Sequence, residues 1–501
     1  MMRLDVPAAL QALSTDPLLA TVVAAARRRG VAPLYLVGGY LRDALLARKV
    51  RERDLDLVCP GDLRALAAEC LGALGGTLVP LDPSTVRIAF RRGAESWQVD
   101  VAALRGGGIE ADLLQRDFTV NALALDLTGE RAGKLIDVTG GVADLEARRI
   151  RVPSPAVLRE DPLRCVRAVR MAAQLGFQVE AGTAAAIRAA APAVAAVSPE
   201  RIRDELFKIL DAPQPAAHLA ELDGLGVLPV VLPPLAALKG TAQGPPHRHD
   251  VWQHTLEVVE GIPWVLERLS RLVPEAGPEA GRRMAAPAEG SISRKSLLVF
   301  AGLLHDVGKP AARTEEGGRV RFPGHERRGA EMAGTLCERL RLGRQATALV
   351  TGVVIHHLRP VLLAAEPVVT PRARYRLLRD LGEVTEEVLL HSLADVRATA
   401  GEEAAFRRQV AFVQETFAFR RDRVEPAAAA PLLRGEEVMA TRQASGGKGE
   451  GGGAVDDRTR RAGLRHLALG FLLLLCSLFT VALCSLPREA RDGGSVRGGP
   501  R

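Results

Sequence analysis

Apolar and polar positions follow two different rhythms over the first 150 residues. Short runs such as "PLYLVGG" (33–39), "DLDLVC" (54–59), "TVRIAF" (85–90) and "SWQVDVAAL" (96–104) have the two-residue alternation or continuous apolarity of strands. "DLRALAAECLGAL" (62–74) instead repeats its apolar residues at helical spacing. The pattern predicts an N-terminal helical segment over 1–30 and a small mixed-sheet head over 31–150. From 151 to 240 the chain turns helical and Ala-rich. There "PLRCVRAVRMAAQLGF" (162–177) meets a Leu-Gly stop, and "SPERIRDELFKIL" (198–210) opens with Ser at the N-cap position followed by Pro. The cluster "TAQGPP" (241–246) marks a boundary. A second helical region is expected over 247–425, interrupted at 274–294 by a polar stretch that reads as a loop. A flexible linker over 441–465 then leads to an uncharged run over 467–486. The expected class is α+β, a mixed-sheet head followed by an all-α body.

Composition narrows the partners. Of 501 residues, 47% are apolar but only 4% aromatic, so the cores must rest on Ala, Leu and Val. A formal charge of +8 and a pI near 9.5 favour a nucleic acid or another phosphate-rich partner. The six cysteines form no Cys-x-x-Cys pair, which points to reduced thiols in the cytoplasm rather than disulfides or a zinc ribbon. The N-terminus lacks the long apolar run of a secretory signal. Residues 467–486 are long enough to cross a bilayer once, with four arginines on each side that choose no orientation. The expectation is a cytoplasmic protein with membrane anchorage through a C-terminal transmembrane helix.

Candidate chemistry begins in "LYLVGGYLRDALLARKVRERDLDLV" (34–58). On a strand, Asp54 and Asp56 share a face while Leu55 and Leu57 point into the core. Two convergent carboxylates need a cation, and Mg²⁺ suits them because it keeps positions open for water and phosphate oxygens. Asp100, in the strand "WQVDVAAL", is the candidate third carboxylate of a two-metal site for displacement at phosphorus. Gly38 and Gly39 let backbone N–H groups approach a phosphate at a helix start, and Arg42 adds charge one turn in.

With these residues the chain resembles the class II tRNA nucleotidyltransferase and bacterial poly(A) polymerase family, whose head has the fold of DNA polymerase beta. "LQRDFTVNALALDL" (114–127), "GGVADLEARRIRV" (140–152) and "EDPLRCVRAVRMAAQLGF" (160–177) resemble further family motifs in family order. The resemblance implies that Gly38, Gly39 and Arg42 hold the triphosphate, with Arg116, Arg167 and Arg170, and that Asp117 and Asn121 lie in the nucleotide site. It also implies that Asp54 and Asp56 hold metal, and that Glu160, Asp161 and Arg164 read the base. Cytosine and adenine each present an amino donor beside a ring-nitrogen acceptor. An accepting Asp161 and a donating Arg164 would therefore take C and A and refuse U and G. Three apart, the two residues would share a helix face. An alternative register places the metal pair at Glu52 and Asp54.

A second constellation lies in the helical region. "HRHDVWQHTLEVV" (247–259) sets His254 four residues after Asp250, and "LLHDVGKP" supplies His305 and Asp306. "FPGHE" adds His325, "VIHHLRP" adds His356 and His357, and "HSLADVRA" adds Asp395. Imidazoles mixed with carboxylates suit Mn, Fe, Ni or Zn better than Mg. The order resembles the HD superfamily of metal-dependent phosphohydrolases over about 247–400. On that resemblance the added histidines match a two-metal version that hydrolyses phosphoesters, with Lys309 near the leaving phosphate.

The implied activity is addition of C and/or A to the tRNA 3′ end from CTP and ATP, by attack of the 3′-hydroxyl on the α-phosphate without a nucleic-acid template. A poly(A) polymerase or a partial CC- or A-adding enzyme is the near alternative. The basic and aromatic stretch expected of poly(A) polymerases is not evident around 77–92. A more distant alternative makes HD-domain phosphodiesterase or phosphatase chemistry the main activity, with the head as an RNA-binding module. The resemblance ends near "PLLRGEEVMA" (431–440).

Overall fold

A computed structural model describes residues 3–48, 53–93, 95–400 and 403–425. The 441–465 linker, the 467–486 segment with its transmembrane expectation, and Glu52 lie outside the described residues.

Two helices precede the head, α1 (Val6–Ser14) and α2 (Pro17–Arg28). Each starts where an aspartate, Asp5 or Asp16, accepts N–H bonds of the first turn and a proline follows. The head is a seven-stranded sheet in the order β3-β4-β5-β2-β1-β6-β7. Its strands are β1 (Tyr35–Val37), β2 (Arg53–Cys59), β3 (Thr77–Asp82), β4 (Thr85–Arg92), β5 (Glu95–Ala103), β6 (Ala124–Asp126) and β7 (Leu135–Ile136). β2 and β5 are parallel and the remaining pairs antiparallel. Between β1 and β2 lies α3 (Gly38–Leu45); α4 (Leu63–Leu74) makes the crossover and buries Leu66, Ala67 and Cys70 over the face that carries Leu55, Leu57, Ile88 and Val99. The polar face of β2 lies opposite this core. β3 escaped the sequence reading because it is an exposed edge strand interrupted by Pro80, without the apolar alternation of a half-buried strand. After β5, α5 (Ile109–Leu114) and α6 (Gly141–Ala147) close the head.

A short parallel pair, β8 (Arg149–Ile150) and β9 (Gln178–Val179), brackets the next two helices, α7 (Ala156–Glu160) and α8 (Arg164–Leu175). α8 stops at Gly176, whose φ of +69° suits glycine, as the Leu-Gly signal predicts. α9 (Ala181–Ala190), α10 (Pro199–Asp211), α11 (Pro215–Gly224) and α12 (Leu228–Val231) complete this region. Ser198 does stand at the N-cap of α10, though its hydroxyl makes no capping bond.

The rest is helical: α13 (Val251–Glu267), α14 (Leu269–Leu272), α15 (Gly277–Ala285), α16 (Arg294–Leu304), α17 (Lys309–Ala312), α18 (His325–Arg339), α19 (Arg344–His356), α20 (Leu358–Ala364), α21 (Pro371–Leu381), α22 (Thr385–Ala400) and α23 (Glu403–Phe419). Two small hairpins interrupt it, β10 (Pro287–Glu289) with β11 (Ile292–Ser293), and β12 (Thr314–Glu316) with β13 (Arg319–Arg321). The loop expected at 274–294 is therefore corrected to a helix and a hairpin. α15 is held by burial of Ala280 and Met284 and by Arg283 pairing with Glu386, contacts that local propensity does not encode. α16 and α22 form the hydrophobic centre around which α13, α18 and α19 pack.

Candidate functional sites

The strand register brings three carboxylates to the polar face of the head. Leu55 and Leu57 are buried, so Asp54 and Asp56 face the other way, and Asp56 stands beside Asp100 across the parallel β2–β5 pair. Arg87, opposite Asp100 on β4, grips both its oxygens at 2.8 Å. Asp100 thus enters the cluster already paired. Burial pushes the Asp56 carboxyl up to about 6; Arg116 pulls it down, Asp100 and Asp54 push it further up, and the Gly39 N–H pulls it down. This is a set of hard oxygen donors in want of positive charge, which fits a hard divalent cation.

The glycine pair divides its work. Gly38 has φ +74°, and a Cβ there would stand 2.3 Å from Asp56 Oδ2. Gly39 carries no such constraint, since its Cβ would meet only the tip of Arg42 at 3.5 Å. Gly38 is therefore required by the carboxylate, and Gly39 leaves open space at the start of α3.

A polar chain connects this face to the helices behind it. Arg42 donates to Asn121 Oδ1 at 2.8 Å, and Asn121 donates to Asp117 Oδ1 at 3.1 Å. Asp117 lies 3.6 Å from Arg167. Arg167 and Arg170, one face of α8, share Glu205 at 3.3 and 2.8 Å. Arg116 is held by the fully buried Asp112, which also accepts from Arg105 at 2.8 Å. Burial pushes the Asp112 carboxyl up, but Arg105 and Arg116 outweigh it and leave it below the usual range.

The pair expected to read the base is arranged differently from the sequence expectation. Asp161 ends α7 in an extended conformation (φ −138°, ψ 94°) and Arg164 begins α8, so they do not share a helix face. The reason is Pro162, which disfavours helical backbone at the residue before it. Asp161 accepts from Arg201 at 2.7 Å and from the Leu163 N–H at 3.3 Å. Burial pushes its carboxyl up, and Arg201 more than reverses the effect. Arg164 donates to the carbonyls of Val157 and Gln115, at 3.0 and 3.3 Å, and stands 3.8 Å from the largely exposed Glu160. Arg201 and Glu205 were not singled out in the sequence. Their signal was a base and an acid four apart on α10, a spacing that usually reads as a surface pair.

In the helical region six expected ligands converge. His254 on α13, His305 at the end of α16 and Asp395 on α22 bring their ligand atoms within 4.8 Å of one another. Asp306, His325 and His357 form a second such triad. All six are buried. His305, His325 and His357 each direct Nδ1 at the backbone carbonyl three residues earlier, at 2.8, 2.8 and 2.7 Å, which leaves Nε2 to face the site. The Nε2 atoms of His254, His305, His325 and His357 are buried without hydrogen bonds among the described residues. Such orphaned nitrogens beside carboxylates fit borderline divalent metals. Lys309 Nζ lies 2.7 Å from Asp306 Oδ2 and donates to Gln243 at 2.5 Å. Burial works against charge on Asp306, but His305 and Lys309 hold its carboxyl well below the usual range.

Other sequence candidates fall outside these triads. His356 joins neither; its ring is half-buried, and burial and Arg359 hold its pKa down. Asp250 caps α13, accepting from the Gln253 and Gly240 N–H groups. Two further histidines were missed. His247 packs against His254 with ring centroids 4.9 Å apart, and His391 packs against His305 at 5.0 Å.

Comparison with known proteins follows the same division of the chain. Models of the poly A polymerase head domain, of a probable RNA and SrmB-binding site of polymerase A, and of the HD domain match residues 34–151, 176–239 and 251–400. The A-adding tRNA nucleotidyltransferase of Deinococcus radiodurans is 36% identical over 416 residues, 81% of this chain and 86% of that protein. The CC-adding tRNA nucleotidyltransferase of Thermus thermophilus is 35% identical over 412 residues, 81% of this chain and 84% of that one. Among solved structures, the Thermotoga maritima CCA-adding enzyme complexed with tRNA shares the fold, with a TM-score of 0.60, 22% identity and coverage of 90% and 92%.

Proposed function

The chain belongs to the tRNA nucleotidyltransferase and poly(A) polymerase family, with an HD domain fused to its nucleotidyltransferase head, and from that premise we propose that it adds C and/or A to the 3′ end of tRNA. The observation that carries the proposal is the carboxylate face of β2 and β5 beside Gly38, Gly39 and Arg42.

Asp54 and Asp56 would hold Mg²⁺, whose charge supports attack at phosphorus and departure of pyrophosphate. Asp100, fixed by Arg87, would sit beside them as the third acid. Gly39 leaves room at the start of α3 for the triphosphate, and Arg42, Arg116, Arg167 and Arg170 would neutralise it. Asn121 and Asp117 keep Arg42 and Arg167 in place. Asp161 and Arg164 would meet the edge of C or A, with Glu160 beside them. In that role Asp161 is oriented by Arg201.

The test is to offer tRNA ending before the added nucleotides, after C and after CC, with CTP and ATP supplied separately. Extension is expected, and its pattern distinguishes CCA, CC-only and A-only addition. Asp56→Ala should abolish it, whereas substantial remaining activity would favour the register through Glu52.

The buried triads support a second activity, hydrolysis of a phosphoester at the HD centre. A metal there would supply Lewis acidity, and Lys309 a fixed positive charge. His305→Ala should remove phosphodiesterase turnover while nucleotide addition persists. Unchanged hydrolysis would sink this reading.

A further inference from the structure

His391 lies at the centre of the helical body and belongs to neither triad. It stands on α22 one turn before Asp395 and is fully buried. Its ring faces one histidine of each triad, with centroids 5.0 Å from His305 and 6.0 Å from His357. On α16 it abuts Gly302, whose carbonyl accepts from His305 Nδ1. The triad histidines His305, His325 and His357 each satisfy Nδ1 on a carbonyl; neither nitrogen of His391 has a hydrogen-bond partner among the described residues.

A buried imidazole with both nitrogens unsatisfied is a worse occupant of this space than a phenyl or an isobutyl group. Neutral imidazole offers one donor and one acceptor, so the residue answers to a polar atom that the site takes up. We propose that His391 is a ligand-contacting residue of the HD centre, donating a ring N–H to an oxygen atom, of water or of a phosphate group, bound at the junction of the two triads. The proposal rests on the reading of those triads as a metal centre.

Metal binding by the full-length protein is measured by equilibrium dialysis against Mn²⁺ and against Ni²⁺, with and without inorganic phosphate, followed by elemental analysis. The unaltered protein is compared with His391→Phe, which keeps a ring but no nitrogen, and with His391→Gln, which restores a donor. Nucleotide addition reports folding, and His391→Leu supplies the same comparison should the phenyl variant fail to fold. Binding at least tenfold weaker in the apolar variant, partly regained by His391→Gln, is the expected result. A deficit in both arms assigns the oxygen to water, and a deficit only with phosphate assigns it to phosphate. Equal binding by the apolar variant in both arms overturns the role of His391 and leaves the metal centre standing. Absence of bound metal in the unaltered protein overturns both.

Discussion

At Gly38 two demands meet in one residue, a left-handed φ and an empty place beside the Asp56 carboxylate. Gly38→Ala should cost about 1–3 kcal/mol of stability through backbone strain. It should also slow nucleotide addition on the order of a hundredfold by displacing the acid. Urea unfolding and turnover measured on the same sample check both, with Gly39→Ala expected to be milder in unfolding. Asp56, pushed up to about 6, would set the acid limit of the proposed metal binding. Protons compete below that pH, so apparent Mg²⁺ affinity should be level above pH 7 and fall about tenfold per unit below 6. Asp112 has the opposite sign. Its folded pKa is depressed, so the stabilisation it provides is complete above the unfolded value near 4 and is lost as pH falls through the folded one. Acid unfolding of Asp112→Asn should lack that component. The shared face of Asp54 and Asp56 was legible in the sequence because a strand period of two leaves no ambiguity about which residues lie together. The shared helix face expected of Asp161 and Arg164 was wrong because helical spacing was carried across Pro162.

Helix α10 carries what no motif announced. Arg201 and Glu205, one turn apart, each reach back to the residues expected to read the base and grip the phosphates. Arg201 is half exposed, so Arg201→Ala should change unfolding free energy by less than about 1 kcal/mol. The same change should raise the KM for CTP and ATP several-fold and blunt discrimination against UTP, while kcat moves little; steady-state kinetics with each nucleotide reads this. The strands and helices with strong periodicity were recoverable from sequence. β3 and α15 were not, because an edge strand needs no alternation and α15 depends on partners far along the chain, such as Glu386.

At the largest scale, among the described residues, two polar centres of different donor chemistry border one large hydrophobic cluster, and the head adds a smaller separate one around Tyr35, Val37, Val58 and Ile109. α10 spans them, packing against α8 on one side and against α16 on the other, where the Phe207 and Phe300 rings lie 5.3 Å apart. The chemistry predicts separable metal requirements. After exhaustive chelation, Mg²⁺ alone should restore nucleotide addition, whereas phosphoester hydrolysis should return only with a metal such as Mn²⁺ or Ni²⁺. The triad of His254, His305 and Asp395 also has a mechanical meaning, because two of its members, His254 and Asp395, stand near the two ends of the segment that the HD model matches. A metal seated on His254 and Asp395 is a reversible cross-link. Tying a loop on the order of a hundred residues removes enough freedom from the unfolded chain to be worth about 4–5 kcal/mol in the cross-link limit. Loaded with metal, the centre would act as a clasp for the helical body, and protease resistance would become a measure of its occupancy.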